Sequence, residues 1–224
     1  MVDGLVGSEM CIRDSHSSAR IEIGDLSFTS EVGNNVSLSY SFSNEKSALT
    51  FNSFFNYVND FIYIIPVRTT TTIAGVFPVW EYMQADANLY GFDVKYDKQY
   101  FDNFFIGHQF SLVKGNERSN NKPLINMPPS NLKNSISYNC TDFNNLNVSL
   151  ESEYVFEQNE YPDTNFEIYI PTTETYAMLD TSTPPKAYHL LNLSSSMRFN
   201  SKNGGKYKIN LRVENLFNNL YKDC

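Results

Sequence analysis

The sequence has few of the residues and patterns that mark common enzymes and DNA-binding proteins. Its three cysteines, Cys11, Cys140 and Cys224, are too scattered for a disulfide framework or a CxxC metal site. The three histidines are equally scattered, and the chain has no phosphate-binding loop and no GxGxxG turn. A net charge of -8 leaves no basic stripe for nucleic acid. We therefore expect neither an enzyme nor a nucleic-acid partner, and assign no catalytic, cofactor-binding or metal-binding residue.

Long apolar runs are also missing. The longest, FIYIIPV at 61–67, falls far short of the roughly 20 residues that a membrane-spanning helix needs. This excludes a membrane helix from the expected structure. It does not exclude a membrane barrel, because barrel strands alternate apolar and polar residues.

The first fifteen residues, MVDGLVGSEMCIRDS, lack the basic start, apolar centre and cleavage site of a signal peptide. Residues 9–15 are what the end of a common transposase sequencing adapter encodes, and residues 5–8 fit the adapter just upstream. We interpret residues 1–15 as an adapter-derived leader and expect it to make no stable contact with the fold. A disordered leader is the alternative. Residues 16–224 remain for fold reasoning.

From residue 36 onward the dominant pattern has a period of two, which predicts strands. Val36, Leu38 and Tyr40, for example, alternate with serines, so that one face of the strand is apolar and the other polar. Eight strands are predicted, at 36–42, 49–57, 92–96, 104–113, 136–138, 146–156, 191–199 and 207–213.

The connections between these strands alternate in length. Short ones are expected at 43–47, 97–103, 140–145 and 201–205, and long ones at 64–79, 115–131 and 159–186. Outer-membrane barrels have this arrangement, with short periplasmic turns and long outer loops. A soluble sandwich has no physical reason to sort its loops in this way.

The composition of the two faces supports the same conclusion. The apolar face is rich in Phe, Tyr and Leu, and the other carries small polar residues and sparse charges, as a lipid-facing band and a wet lumen would. We therefore expect an all-β fold, an antiparallel meander of about eight strands in a transmembrane β-barrel. A soluble β-sandwich with inward apolar residues is the alternative. The residues expected to face outward are Leu38, Phe92, Val148, Leu193 and Leu211.

Four stretches resemble motifs of the TonB-dependent outer-membrane receptors, in the order of that family. The clearest is VENLFNNLYKD at 213–223, which resembles the family's NLFN-x-x-Y stretch. The others are ADANLYGFDVKY at 85–96, with Asp93 where Glu is usual, GDLSFTSEVGNNVSLSY at 24–40 and INMPPSNLKNSISY at 125–138. Each motif alone is weak, but four in family order are specific. The resemblance covers about residues 21–223.

The resemblance implies a fold and an organisation. Members of this family have a 22-stranded barrel with a plugged lumen. Residues 16–224 are expected to supply roughly strands 14 to 21 of such a barrel. The plug domain, the last strand and the short box that contacts TonB are expected to be missing from this chain.

The resemblance also implies a function. The family imports scarce ligands such as ferric siderophores, haem, cobalamin or glycans across the outer membrane of Gram-negative bacteria, with energy from TonB. A ferric siderophore is the expected cargo, because the C-terminal stretch resembles the metal-chelate branch. The expected partners are outer-membrane lipid, the TonB complex through the plug region, and the small chelate; no cofactor is expected. The alternatives are a passive porin or adhesin barrel and a soluble carbohydrate-binding β-sandwich.

Two groups of residues are candidates for function. Charges on the polar face are expected to line the lumen and to contact the plug or the substrate path: Glu151, Glu153, Arg198, Arg212 and Glu214. The long 159–186 loop carries tyrosines that would supply rigid ligand contacts at low entropic cost: Tyr161, Tyr169 and Tyr176. For both groups the alternative is a merely solvated polar surface.

The glycosylation pattern N-x-[ST] occurs at Asn35, Asn139, Asn147 and Asn192. Such triplets are common by chance in a chain rich in Asn and Ser. Because Asn147 and Asn192 lie within predicted strands, where a glycan does not fit, we give the pattern little weight.

Overall fold

The computed structural model describes residues 15–16, 20–72, 75–160, 166–170, 173–179, 186–200 and 205–221. These residues contain no helix, and hence none long and apolar enough to span a membrane. The strands within them are β1 (Ser15–His16), β2 (Ile21–Ile23), β3 (Val32–Ser43), β4 (Ser47–Thr72), β5 (Gly75–Tyr100), β6 (Phe104–Glu117), β7 (Asn131–Cys140), β8 (Leu146–Val155), β9 (Phe166–Ile170), β10 (Thr175–Leu179), β11 (Tyr188–Asn200) and β12 (Lys206–Val213).

Eight of these strands form the antiparallel meander that the sequence predicts. From β3 to β8 each strand pairs with the next one, β8 pairs with β11, and β11 pairs with β12. The β5–β6 ladder runs from Ala87↔Glu117 to Tyr100↔Phe104 without a register shift. Across the described strands the sheet is not closed, and β3 and β12 form the two edges of the meander.

The ladders also confirm which residues share the apolar face. Directly paired residues lie on one face and side chains alternate along a strand, so the register places all five predicted outward residues together. Leu38 and Leu211 are 61% and 62% exposed. A soluble β-sandwich would bury such a face against a second sheet. The exposure of this face therefore contradicts the sandwich alternative.

Aromatic rings on the apolar face make contacts between strands. The ring centroids of Phe51 and Phe92 are 6.1 Å apart, and those of Phe92 and Phe110 are 5.7 Å apart. Phe104 and Tyr138 approach to 4.9 Å. Cross-strand aromatic pairs contribute roughly 0.2–1 kcal/mol each relative to alanine pairs. These contacts therefore hold neighbouring strands together where no second layer packs on them.

Strands β4 and β5 are longer than the sequence suggested. Each has 26 residues, whereas about 9–11 tilted residues are enough to cross a membrane. The long loop expected at 64–79 is therefore wrong, because the strands continue as a paired hairpin to Thr72↔Gly75. The threonine run that ends at Thr72 is β-branched and favours strands. Pro66 lies at a register shift, where sheets tolerate a proline.

The 159–186 connection also carries structure. Strands β9 and β10 form a small antiparallel hairpin, from Phe166↔Leu179 to Ile170↔Thr175. Strand β9 contacts β4, although the connection begins at β8. The connection therefore reaches past three intervening strands at the end of the sheet where the long loops lie.

The N-terminal strands join the sheet in a way that a simple meander does not predict. Strand β2 pairs in parallel with β5, from Ile21↔Val79 to Ile23↔Glu81. The chain between β2 and β3 is then held by Gln84. Its Oε1 accepts the Thr29 N–H at 3.1 Å, and its Nε2 donates to the Thr29 carbonyl at 2.7 Å. This segment therefore fastens the N-terminal part of the chain to the β4–β5 hairpin.

Strand β1 bears on the interpretation of the leader. Ser15, the last residue of the segment read as adapter, pairs with Glu22. The expectation that the whole segment makes no contact is therefore wrong for Ser15. Residues 1–14 lie outside the described part of the chain.

Candidate functional site on the polar face

The face opposite the apolar one carries most of the charges of the sheet, and three close ion pairs lie on it. The distances are 2.9 Å for Lys95 Nζ to Asp97 Oδ2, 3.0 Å for Lys133 Nζ to Glu153 Oε1, and 2.8 Å for Arg212 Nε to Glu214 Oε1. Exposed pairs contribute only about 0–1 kcal/mol. The Glu153 side chain is 20% exposed and that of Glu214 is 65% exposed, so the Lys133–Glu153 pair is the better shielded.

Gly107 on β6 makes room for the carboxylate of Asp97. A Cβ atom at residue 107 would lie 2.9 Å from Asp97 Oδ1 and 2.7 Å from Ser135 Oγ, which is too close for either contact. Glycine therefore allows the Asp97 side chain to extend over β6 towards β7. The carboxylate lines a groove of about 230 Å³ together with Lys133 and Glu151.

Four of the five charges predicted for the lumen meet at one place. A cavity of about 340 Å³ is lined by Glu153, Arg212 and Glu214. A smaller cavity of about 110 Å³ is lined by Glu151 and Arg212. Arg212 and Asn192 border both cavities. The sheet thus brings both signs of charge together around a shared groove, which suits a polar partner.

Arg198 is the fifth predicted charge, and it lies apart from the other four. It shares their face but sits at the opposite end of β11, where its register partner is Lys208. Its N–H donates to the Asn144 carbonyl at 2.8 Å, in the short connection between β7 and β8. Arg198 therefore lies at the end of the sheet where the short turns are.

Asn192 links the charged group to the segment that follows β12. Its side chain is buried, and the residue is only 8% exposed. The amide Nδ2 donates to Glu151 Oε1 at 3.2 Å, and Oδ1 accepts the N–H of Asn215 at 2.9 Å. Both ends of the amide therefore have partners, as a buried amide requires.

The segment 214–221 folds back over the end of β11. Asn215 Nδ2 donates to the Asn219 carbonyl, and Asn215 Oδ1 accepts the Asn219 N–H, both at 2.9 Å. Asn219 Nδ2 then donates to the His189 carbonyl at 2.7 Å. Because β12 ends at Val213, side-chain amides here satisfy groups of β11 that the ladder does not reach.

The loop after β6 folds inward over the polar face. Leu124 is buried, and a Cβ atom at Gly115 would lie 2.9 Å from Leu124 Cδ1 and 2.8 Å from Met127 Sδ. Gln158 Nε2 donates to the Met127 carbonyl at 2.9 Å, which ties the loop to the segment after β8. Two prolines of this loop line the 340 Å³ cavity, so the loop forms part of its wall.

A second cluster, which the sequence analysis missed, lies on the β4–β5 extension. The rings of Phe61 and Tyr63 stack with an interplanar angle of 12°. Burial and the nearby Glu117 carboxylate, to which the Tyr63 hydroxyl donates, raise the pKa of Tyr63. A hydrogen bond from Ser119 Oγ, 2.5 Å long, is the main cause that lowers the pKa of Glu117. In the sequence, the only sign of this cluster was the apolar run FIYIIPV at 61–67, which contains Phe61 and Tyr63.

The predicted ligand-binding tyrosines belong to the long-loop end of the sheet. Tyr161 lies outside the described residues. Tyr169 and Tyr176 are register partners in the β9–β10 hairpin, and Tyr176 is exposed. Through β9 this hairpin contacts β4, away from the charged group on the sheet.

Among the residues that the structure describes, no group of three or more His, Cys, Asp or Glu side chains is placed to hold a metal ion. The polar face offers ion pairs and amides instead. Such groups can bind a polar surface or a charged ligand.

Comparison with known proteins indicates a single family. The model of the TonB dependent receptor-like β-barrel family matches residues 7–216 of this chain. The match therefore begins within the segment interpreted as leader. No curated protein matches the chain.

Several solved structures share the fold. The copper transporter OprC is 15% identical with a TM-score of 0.67, over 86% of this chain and 26% of OprC. The FrpB iron transporter from Neisseria meningitidis is 14% identical with a TM-score of 0.58, over 91% and 30% of the two chains. A mutant of the ferric enterobactin receptor PfeA from Pseudomonas aeruginosa is 15% identical with a TM-score of 0.58, over 88% and 27%. At these identities the likeness establishes the fold alone, and this chain spans less than a third of each protein.

Proposed function

Because the chain belongs to the family of TonB-dependent receptor-like β-barrels, we propose that it forms part of the wall of an outer-membrane receptor in a Gram-negative bacterium. The receptor imports a scarce ligand, and the TonB complex supplies the energy through a plug in the barrel. Residues 16–224 provide the barrel segment, and residues 1–15 are an adapter-derived leader. The role is transport and not catalysis.

The observation that carries this proposal is the opposite character of the two faces. Apolar side chains such as Ile136, which is 51% exposed, cover one face, and ion pairs and amides cover the other. A barrel wall between lipid and a wet lumen requires this division. In such a wall, β3 and β12 would pair with further strands, because unpaired strand edges in lipid cost several kcal/mol for each unsatisfied group.

The charged group on the polar face is proposed to contact the plug or the substrate path. Glu151, Glu153, Arg212 and Glu214 surround adjoining cavities near the long-loop end, where a polar surface could bind. Arg198 would line the lumen at the periplasmic end. The tyrosines of the 159–186 connection would contact the ligand at the outer mouth, for the reason that rigid aromatic side chains lose little entropy on binding.

A ferric siderophore is the proposed cargo. Support comes from two of the similar structures, which are named as an iron transporter and a ferric enterobactin receptor. The third is named as a copper transporter, so the metal is the part of the proposal that the test must decide.

The test is an uptake assay with the receptor that carries this segment. It is expressed in an uptake-deficient Gram-negative host, and cell-associated radioactive iron is measured with a panel of ferric siderophores, with and without TonB. We expect uptake of at least one chelate that stops when TonB is removed. Uptake that persists without TonB would favour the passive porin alternative. TonB-dependent uptake of copper with no uptake of iron would reject the siderophore and retain the receptor.

A further inference from the structure

Asn192 occupies a position that the proposed transport role does not by itself explain. It is the buried polar residue between the two cavities of the polar face. We propose that Asn192 is a positioning residue that couples the turn after β12 to the lumen carboxylate of Glu151. The importance of Glu151 for transport rests on the proposed function, whereas the coupling itself does not.

The chemistry of the side chain supports this role. Asn192 uses its donor on Glu151 Oε1 and its acceptor on the N–H of Asn215. An aspartate would keep an acceptor for Asn215 but would place a second negative charge against Glu151. A leucine would keep neither bond and would leave buried groups unsatisfied. An amide is therefore needed at this position because it supplies one donor and one acceptor.

The turn beyond Asn215 is held in one conformation, so its position can be transmitted through Asn192. Asn215 and Asn218 have positive φ angles of 52° and 51°, a region that asparagine visits more readily than most residues. The side-chain bonds of Asn215 and Asn219 close the turn and attach it to His189. Asn192 is thus the side chain through which a displacement of this turn reaches the carboxylate of Glu151.

The position of Arg212 and Glu214 adds to the argument. Both residues lie on the last part of the chain before the turn, and both line the same cavity as Asn192. A change in the turn would therefore alter the placement of Glu151 through Asn192 and the placement of Glu214 through the backbone. The turn after β12 and the charged residues of the polar face would therefore move together.

The experiment is a double-mutant cycle on the complete receptor in detergent micelles. The variants are Asn192→Asp, Glu151→Gln and the combination of the two, and the measurement is the midpoint of thermal unfolding. We expect Asn192→Asp to lower the midpoint clearly, and Glu151→Gln to change it little, because a glutamine oxygen still accepts from Asn192. The combined variant should recover most of the loss, since the glutamine amide can now donate to the new carboxylate.

A second measurement follows the turn directly. Hydrogen exchange at the Asn215 amide should be at least about tenfold faster in Asn192→Leu, which lacks the acceptor, and nearly unchanged in Asn192→Asp, which keeps it. Asn147→Asp is the matched control, because Asn147 lies on the same face and donates to Asn139 instead. It should show no rescue by Glu151→Gln and no change at Asn215.

Two results would overturn the inference: a combined variant at least as unstable as the sum of the single changes, or unchanged Asn215 exchange in Asn192→Leu. Failure of the transport proposal would look different. In that case the rescue and the exchange pattern would hold, while the parent receptor would show no TonB-dependent uptake.

Discussion

Replacing Ile136 with lysine should destabilise the assembled receptor far more than replacing its neighbour Ser137 with lysine. Ile136 lies in the middle of β7, pairs with Ile106 and Leu150, and is 51% exposed. Ser137 lies on the opposite, polar face, where its register partners are Phe105 and Ser149. The two substitutions introduce the same side chain one residue apart.

The magnitude depends on what covers the apolar face. If water covered it, an exposed substitution away from special features would change stability by about 0.5 kcal/mol or less. If lipid covers it, a lysine near the bilayer midplane costs about 2–4 kcal/mol. A cost of about 2–4 kcal/mol corresponds to roughly a 30-fold to several hundred-fold change in the folding equilibrium.

The assay is denaturant unfolding of the receptor in lipid vesicles, followed by the shift in gel mobility that folded barrels show. We expect the Ile136→Lys variant to unfold at a clearly lower denaturant concentration, and the Ser137→Lys variant to unfold close to the parent. Equal behaviour of the two variants, or a larger loss from Ser137→Lys, would refute the assignment of the faces.

Two further predictions concern the loop end of the sheet. Gly91→Ala should lower the free energy of unfolding by about 1–3 kcal/mol through overpacking, because the added Cβ would lie 2.4 Å from the Leu112 carbonyl oxygen. Gly115→Ala should lower it less, because the added Cβ meets only side-chain atoms of Leu124 and Met127. Denaturant unfolding midpoints of the two variants measure the difference. Because the folded-state pKa of Glu117 is lowered, its stabilising effect is present above the ordinary value of 4.5 and is lost as pH falls through the folded-state pKa. The protection factors of the amides in the loop after β6, which correct for the slower intrinsic exchange in acid, should therefore fall as the pH is lowered. Glu117→Gln should remove that fall, and loop protection that is the same in acid and at neutral pH in the parent would contradict this.

The sequence was informative wherever the period of two was regular. The alternation of Val36, Leu38 and Tyr40 with serines identified both the strand and its outward face, and the ladders agree. Charges such as Glu151 and Arg212 could be placed on the polar face for the same reason. Their meeting at one groove follows from register alone, since each strand of the meander pairs with its neighbour in sequence.

The remaining features depend on contacts that a local pattern does not encode. A long connection was expected at 64–79, but a register shift at Pro66 and the β-branched threonines let the β4–β5 hairpin continue. The inward fold of the loop after β6 depends on the space above Gly115. The role of Asn192 depends on a turn more than twenty residues away in the chain. In each case a partner distant in sequence decides the outcome.

The alternation of short and long connections has a consequence for how such a receptor can change its ligand. The connection from β7 to β8 has 5 residues, at 141–145, and the connection from β8 to β11 has 32, at 156–187. For flexible chains, loop-closure entropy grows only with the logarithm of length, so the difference is about 1.6 kcal/mol, and less here because β9 and β10 order part of the longer connection. Insertions and exchanges at that end therefore cost little, while the ladders below remain the same. Selectivity can diverge quickly on a wall whose fold persists at 15% identity.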